Sequence, residues 1–273
     1  PSSCPSPTRP SAPVAGWPPD MARTALITGA SSGLGAEYAR QLAARGMDLV
    51  LVARDPAALE HVADQARASG ADVEVLPADL LVAADRERVE VRAADPRHPI
   101  DLLVNNAGFG LPLAFEENDP DDETRHLALH VEVAMRLMHA VLPGMLERGS
   151  GRIVNIASVA GFVPRGTYGA AKGWLISFSR WANVAYRARG VTVTAVCPGF
   201  VHTNFHERMG LPPGKEGVPG PLWLHAPDVV RESLRDVARG RAVSVPSLRY
   251  KALVALSRVL PDGLVAAAAS RGR

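Results

Sequence analysis

Short apolar segments alternate with helical patterns along this 273-residue chain, and no other feature restricts its fold as strongly. Apolar runs of this length suit strands that are buried on both faces of a sheet. Strands joined by helices run parallel, and right-handed crossovers place helices on both faces. The sequence therefore predicts an α/β protein with a doubly wound parallel sheet. The expected strands are Thr24–Thr28, Asp48–Ala53, Val73–Leu76, Ile100–Val104, Gly151–Ala157, Val191–Cys197 and Ala242–Val245.

The first expected strand leads directly into a glycine-rich segment, Gly29–Gly35, and a helical pattern then continues to about Arg45. Glycines let the backbone approach a pyrophosphate, and a helix N-terminus supplies N–H groups and positive potential. The spacing is G-x-x-x-G-x-G and differs from the commoner G-x-G-x-x-G. Its position at the start of a strand–turn–helix unit predicts a dinucleotide site in a Rossmann fold.

The second expected strand ends at Arg54, which lies where such a site contacts the adenosine ribose. An acidic residue there bonds the 2′-hydroxyl, whereas an arginine can accept a 2′-phosphate. Arg54 has no acid before it and therefore favours NADP over NAD. The alternative is a solvated arginine in an exposed loop.

Tyr168 and Lys172 are four residues apart on an expected helix and so project from the same face. A free phenol loses its proton only near pH ~10, but a neighbouring cation lowers that pKa. The pair can therefore pass a proton to or from a carbonyl or hydroxyl oxygen. The alternative is an ordinary solvated helix face. The apolar face of this helix is expected to comprise Ala171, Trp174, Leu175, Phe178 and Ala182.

Several motifs then occur in one order, and together they resemble the short-chain dehydrogenase/reductase family over about residues 23–205. They are Thr28–Gly35, Asn105–Gly108, Ser158, Tyr168-x-x-x-Lys172 and Pro198-Gly199. The resemblance implies an NADP-dependent oxidoreductase that moves a hydride between nicotinamide and a carbonyl or alcohol carbon. It also implies a homo-oligomer that assembles through two long helices.

The same resemblance assigns roles to single positions. Tyr168 would be the general acid/base, Lys172 would bond the nicotinamide ribose and lower the pKa of Tyr168, and Ser158 would hold the substrate oxygen. The positions that match the family's cofactor site are Gly29, Ser31, Ser32, Gly33 and Leu34 for the pyrophosphate and ribose; Asp79 and Leu80 for the adenine; Asn106, Ala107 and Gly108 on the fourth strand; and Pro198, Gly199, Val201 and Thr203 for the nicotinamide.

Two positions depart from the family. His130 stands where the family usually has an asparagine that kinks the long helix, expected here from about Asp121 to Leu146, around a water leading to the lysine. A histidine can also bond a water and relay a proton, with a titration expected near pH ~6–7. The alternative is a helix histidine with no catalytic part. Second, only ten positions separate Ser158 from Tyr168, so the loop Val159–Thr167 must be tight for Ser158 to reach the substrate.

The substrate is expected to be a small apolar molecule such as a ketone, a steroid-like alcohol or an acyl chain. The apolar residues near the expected pocket are Phe109, Leu111, Phe162, Phe205 and Trp223, whose alternative role is loop packing. A protein of another class, an NADP-binding sensor or scaffold with little turnover, is the competing interpretation, and sugar epimerase or dehydratase activity is a more distant one.

Composition limits the remaining possibilities. The net charge is +2 with no long basic block, which argues against nucleic acid, and no apolar run reaches the ~18 residues of a membrane span. The two cysteines indicate neither a disulfide framework nor a metal site, so a reducing, cytoplasmic location is expected. Residues 1–20 contain seven prolines and are expected to be a disordered extension. Residues 21–273 are expected to form one domain, in which 200–273 supply a substrate loop and C-terminal helices.

Overall fold

One parallel sheet organises the molecule, which a computed structural model describes over residues 23–112, 115–203 and 219–270. Its strands are β1 (Thr24–Thr28), β2 (Asp48–Ala53), β3 (Val73–Pro77), β4 (Leu102–Asn105), β5 (Gly151–Ile156), β6 (Val191–Val196) and β7 (Val243–Ser244). All seven pair in parallel in the order β3-β2-β1-β4-β5-β6-β7. The expected doubly wound sheet is confirmed, with strand ends that differ by at most two residues. The order reverses between β1 and β4, which places a crevice beyond the carboxyl ends of these strands.

Helices cover both faces of the sheet. They are α1 (Gly33–Ala43), α2 (Pro56–Ala68), α3 (Ala83–Ala94), α4 (Pro120–Leu127), α5 (Ala134–Glu147), α6 (Gly166–Tyr186), α7 (Ala226–Ala238), α8 (Leu248–Ser257) and α9 (Asp262–Ser270). Alternate residues of β1 enter opposite layers, since Ile27 packs with α1, α2 and α7 while Leu26 packs with α3, α5 and α6. Each layer excludes water from one side of the strands, so the strands are apolar on both faces.

The long helix expected from Asp121 to Leu146 is interrupted. A π-helical turn, Ala128–Val133, separates α4 from α5 and contains His130. Such turns insert an extra residue into the helical ladder and occur often at functional sites. The prediction of helical structure here is confirmed, and the interruption places the side chain of His130 inside the protein, 2% exposed.

Two short helices, α8 and α9, lie on either side of Pro261 at the end of the described residues. Tyr250 fastens α8 to the end of β6, because its hydroxyl donates to the Leu222 carbonyl at 2.7 Å and accepts from the Phe200 N–H at 3.0 Å. The tail predicted for residues 1–20, and Phe205, lie outside the described residues. Within the described ranges, no helix is both long and apolar enough to cross a membrane.

Candidate active site

The turn after β1 is closed by glycines that leave no room for side chains. A Cβ on Gly35 would lie 2.2 Å from the Gly29 carbonyl oxygen, and Gly29 itself has a positive φ of 64°. The Asn106 amide nitrogen donates to the carbonyls of Thr28 and Gly29 at 2.9 and 3.1 Å and so holds the turn against the end of β4. Ser32 precedes α1 without a side-chain cap bond to it, and Gly33 at the helix start lines the crevice. The first N–H groups of a helix can bind an anion in such a place.

A cavity of about 970 Å³ extends from this turn along the carboxyl ends of the strands. It brings together every residue that the sequence assigned to the cofactor and to catalysis. The residues of this set that line it are Gly29, Ser31, Ser32, Gly33, Leu34, Arg54, Asp79, Leu80, Asn106, Ala107, Gly108, His130, Ser158, Tyr168, Lys172, Pro198, Gly199, Val201 and Thr203. The glycine turn and the region around Tyr168 therefore line one continuous cavity.

Arg54 lies at the exposed rim of this cavity, at the end of β2. The next residue, Asp55, also lines the cavity, but its carboxylate accepts from the N–H groups of Ala57 and Ala58 at 3.0 and 3.1 Å and caps α2. The acid next to Arg54 is therefore engaged by the helix N-terminus.

Lys172 is buried at the opposite end of the cavity, 4% exposed, and its ammonium donates to the Ile156 carbonyl at 2.7 Å. Its Nζ lies 5.6 Å from the ring centre of Tyr168. Burial lowers the pKa of Lys172 to about 7, because the charged form loses its hydration. A lysine with this pKa can gain or lose a proton near neutrality beside the phenol.

The short segment between Ser158 and Tyr168 is accommodated by a 3₁₀ turn, Val159–Phe162, that packs on α6. A Cβ on Gly161 would lie 2.7 Å from the Lys172 carbonyl carbon, so only glycine allows this approach. The Ser158 hydroxyl accepts from the Ala160 N–H at 3.1 Å and lines the cavity, with its own hydrogen available as a donor. With this tight loop, Ser158 and Tyr168 line the same cavity.

The His130 ring lies against the backbone of Gly108 and Phe109. Its Nε2 is 2.7 Å from the Phe109 carbonyl and 3.2 Å from the Phe109 N–H, and a Cβ on Gly108 would meet the ring at 2.3 Å. Burial and the charge of Lys172 lower the pKa of His130 well below its usual value. The imidazole is therefore neutral near pH 7, unlike the titration near pH ~6–7 that the sequence suggested.

A small second cavity of about 10 Å³ lies between His130 and Lys172. Asn105 also lines it, and its Oδ1 has no hydrogen-bond partner among the described residues. This space is large enough for one water with polar neighbours. A histidine can thus occupy the family's asparagine position and still face a water site next to the lysine.

Sequence reasoning missed His126, which is fully buried and whose ring centre lies 4.3 Å from that of His130. It also missed Arg165, which lines the cavity beside Tyr168 and has its pKa lowered by burial. The spacing of His126 and His130, four residues apart on a helix, was the only available signal for the former.

The expected apolar pocket residues are only partly confirmed. Phe109 lines the cavity, whereas Leu111, Phe162 and Trp223 do not, and Phe205 lies outside the described residues. Phe162 packs beneath the guanidinium of Arg258, and Trp223 stacks on His202 at 4.7 Å. The apolar wall comes instead from the C-terminal helices and neighbouring loops: Val163, Phe200, Leu222, Leu253, Val254, Leu256, Leu260, Leu264 and Val265.

Comparison with known proteins gives one consistent family. A family model described as short chain dehydrogenase matches residues 23–211. An uncharacterized oxidoreductase of Myxococcus xanthus is 35% identical over 257 residues, which cover 92% of this chain and 98% of that protein. A very-long-chain 3-oxoacyl-CoA reductase of Anas platyrhynchos is 34% identical, over 68% of this chain and 62% of its own length.

Solved structures agree with these relatives. A short-chain dehydrogenase from Sphingobium yanoikuyae in complex with NADPH has a TM-score of 0.79 and 36% identity, over 86% of this chain and 94% of that one. The bulky-bulky ketone specific alcohol dehydrogenase from Comamonas testosteroni has a TM-score of 0.74 and 32% identity, over 86% and 92%. A short chain dehydrogenase/reductase from Burkholderia phymatum in complex with NAD has a TM-score of 0.74 and 28% identity, over 86% and 92%.

Proposed function

The chain belongs to the short-chain dehydrogenase family and is an NAD(P)-dependent oxidoreductase, and we propose that it uses NADPH to reduce bulky apolar ketones, including 3-oxoacyl thioesters. One observation carries this proposal. A single cavity joins the glycine turn to Tyr168 and Lys172 and then continues along aliphatic residues of α8 and α9. Such a wall favours a long or bulky apolar substrate over a small polar one.

The residues present fit a dinucleotide. The glycine turn is a cradle that a Cβ on Gly29 or Gly35 would fill, and the start of α1 would offer N–H groups to a pyrophosphate. Both Lys172 and Arg54 line the cavity. Lys172 would bond a ribose hydroxyl at the nicotinamide end, and Arg54 would lie at the adenosine end. The bound nicotinamide would supply the hydride, and the protein supplies orientation and the proton.

In the proposed reduction, the Ser158 hydroxyl donates a hydrogen bond to the carbonyl oxygen of the substrate. The Tyr168 O–H then transfers its proton to that oxygen as the carbon accepts the hydride. The Lys172 ammonium stabilises the phenolate that forms and returns a proton to it. Burial of Lys172 strengthens this interaction because little water screens it.

Arg54 supports the preference for NADPH, because a guanidinium at the rim can pair with a 2′-phosphate. Engagement of Asp55 as a helix cap removes the acid that would compete for a ribose hydroxyl. The relative from S. yanoikuyae binds NADPH, although that from B. phymatum binds NAD.

The proposal is tested by following NADPH and NADH oxidation with short and long 3-oxoacyl N-acetylcysteamine thioesters, bulky diaryl ketones and small polar ketones. We expect turnover with the bulky and long-chain compounds and little with the small polar ketones. Turnover restricted to small polar ketones would contradict the assigned substrate class. Cofactor binding with no turnover on any of these compounds would favour the sensor or scaffold alternative.

We also propose that the protein is a homo-oligomer that assembles through α5 and α6. An aromatic stripe on α6 supports this, since Trp174 and Phe178 stack at 5.0 Å and Trp181 continues the stripe with 55% of its surface exposed. Trp181→Lys should lower the mass measured by sedimentation, whereas Val91→Lys, on an exposed position of α3, should not. An unchanged mass in the first variant would count against this interface. The cytoplasmic location predicted from cysteine usage remains a prediction.

A further inference from the structure

The outer surface of α8 and α9 concentrates apolar side chains. Among the described residues, thirteen large apolar side chains are exposed, and six of them lie within residues 248–264. These six form what we call the C-terminal apolar surface, with exposed fractions of 39–80%: Leu248, Leu253, Leu256, Val259, Leu260 and Leu264. Single exposed apolar residues are ordinary, whereas a large group in one place marks an interaction site. The C-terminal apolar surface therefore indicates that a partner covers α8 and α9.

The packing of α8 explains why these side chains remain outside. Tyr250 and Val254 are four residues apart, share one face of the helix and are buried, with exposed fractions of 3% and 8%. The Tyr250 hydroxyl anchors that face through its two bonds to backbone groups. Leu253 and Leu256, outside that face, are 45% and 51% exposed. A helix that is apolar all round is normally covered on all sides, so a second layer is expected over the outer side of α8.

The C-terminal apolar surface is continuous with the cavity. Four of its members are exposed and also line the cavity, so they form part of its mouth: Leu253, Leu256, Leu260 and Leu264. The other two, Leu248 and Val259, are 80% and 78% exposed and do not line the cavity. A partner that covers this surface would therefore lie at an entrance to the cavity.

The charges on the same segment are mainly basic. Residues 248–260 carry three charged side chains, and all of them are basic: Arg249, Lys251 and Arg258. Lys251 pairs with Glu232 at 2.6 Å. Arg249 and Arg258 are exposed and contact uncharged groups, a backbone carbonyl and an aromatic ring. The segment therefore keeps a positive charge even with Asp262 at the start of α9.

Leucines beside arginines fit the surface of an anionic lipid bilayer. Apolar side chains enter the boundary between headgroups and acyl chains, and arginines beside them meet lipid phosphates. A second copy docked through the same surface would bring the arginines of both copies together, and that repulsion disfavours self-association. The charge of the segment thus favours lipid over another copy of this chain.

We propose that α8 and α9 dock the protein onto an anionic lipid bilayer, so that the mouth of the cavity opens against the lipid. A long acyl chain or a bulky ketone partitions into lipid, and an entrance at the headgroup layer spares it a passage through water. Docking follows from the surface alone. Entry of a substrate from the lipid rests in addition on the proposed function.

Docking is tested by co-sedimentation of the full chain with vesicles of phosphatidylcholine that contain about one third phosphatidylglycerol. The test variant is Leu248→Glu/Val259→Glu, which changes the two exposed positions that do not line the cavity. The matched control is Val82→Glu/Val91→Glu, which adds the same charge at exposed positions of the α3 region. We expect the partition coefficient to fall at least about tenfold in the test variant and to stay within about twofold of wild type in the control. Binding of wild type to phosphatidylcholine alone should be weaker, because the arginines then meet no net negative charge.

Turnover gives a second measurement on the same two variants. Both should reduce a soluble short-chain substrate at the wild-type rate, since none of the four substituted residues lines the cavity. A long-chain ketone or thioester carried in the vesicles should be reduced more slowly by Leu248→Glu/Val259→Glu only.

Several results would overturn docking: wild type that does not bind anionic vesicles, equal binding by wild type and Leu248→Glu/Val259→Glu, or equal loss in the control. A fall in the sedimentation mass of Leu248→Glu/Val259→Glu, with no vesicle binding by wild type, would assign the surface to a second copy instead. Absence of turnover on every compound, with vesicle binding lost only in Leu248→Glu/Val259→Glu, would overturn the proposed function while supporting the docking surface.

Discussion

The two ends of the cavity differ in the groups that line them. At the glycine turn, backbone groups and small residues define the surface, and a single added carbon would overlap it. At the Tyr168 end, buried side chains define the surface, and burial lowers the pKa values of His130 and Lys172. The property that distinguishes the glycine turn is therefore its close steric fit, and the property that distinguishes the Tyr168 end is the protonation state of its side chains. Substitutions at the two ends should therefore affect different measured quantities, namely cofactor affinity at the glycine turn and turnover with its pH dependence at Tyr168.

The largest separation between the two ends is expected for Tyr168→Phe. The change deletes the transferable proton and little volume, so kcat should fall by ~10²–10⁴-fold. NADPH affinity, measured by fluorescence titration, should stay within about twofold of wild type because the glycine turn is unchanged. A variant with normal turnover would show that Tyr168 is not the acid.

Gly35→Ala should produce the opposite result. Its Cβ would lie 2.2 Å from the Gly29 carbonyl, so the turn must shift by about an ångström. We expect NADPH affinity to fall on the order of 100-fold, which corresponds to about 2.8 kcal/mol. Gly263→Ala is the control, because a Cβ there has no neighbour within 4 Å among the described residues. Equal affinities in both variants would contradict a tight cradle.

The same contrast explains what the sequence could reveal. A close approach of two backbone segments can be recognised in the sequence, because only glycine fits at Gly29 and Gly35. The cofactor residues that were assigned from such motifs all line the cavity. No sequence motif identifies the residues of the apolar wall, because α8 and α9 reach the cavity only through tertiary packing. Leu111, Phe162 and Trp223 were therefore wrong choices for that wall. His126 was missed because its burial and its contact with His130 arise from tertiary packing, which a sequence does not display.

The preference between NADPH and NADH should change when Arg54 is substituted, at the rim of the cavity. Arg54→Ser removes the guanidinium expected to pair with the 2′-phosphate, a charge-assisted bond worth roughly 1.5–3 kcal/mol. NADPH affinity should fall at least about tenfold while NADH affinity changes little. Arg67→Ser, on the exposed surface of α2, is a matched control. Equal affinities for NADPH and NADH in wild type would remove Arg54 from this role.

The smallest effect is expected from His130→Asn, and it concerns which group sets the pH dependence. Titration of His130 was expected from the sequence to add a limb near pH ~6–7, which asparagine would abolish. In the structure, burial lowers the pKa of His130 well below its usual value. Burial also lowers the pKa of Lys172, from 10.5 to about 7. Protonated Lys172 is needed for proton return, so kcat/KM for reduction should decline as pH rises through about 7. Asparagine can still bond the water site, so the limb should remain in the variant, with kcat/KM within about twofold of wild type. If the decline in kcat/KM disappeared in His130→Asn, the group that titrates would be His130 and not Lys172. The imidazole of His130 would then be less desolvated than its buried position implies.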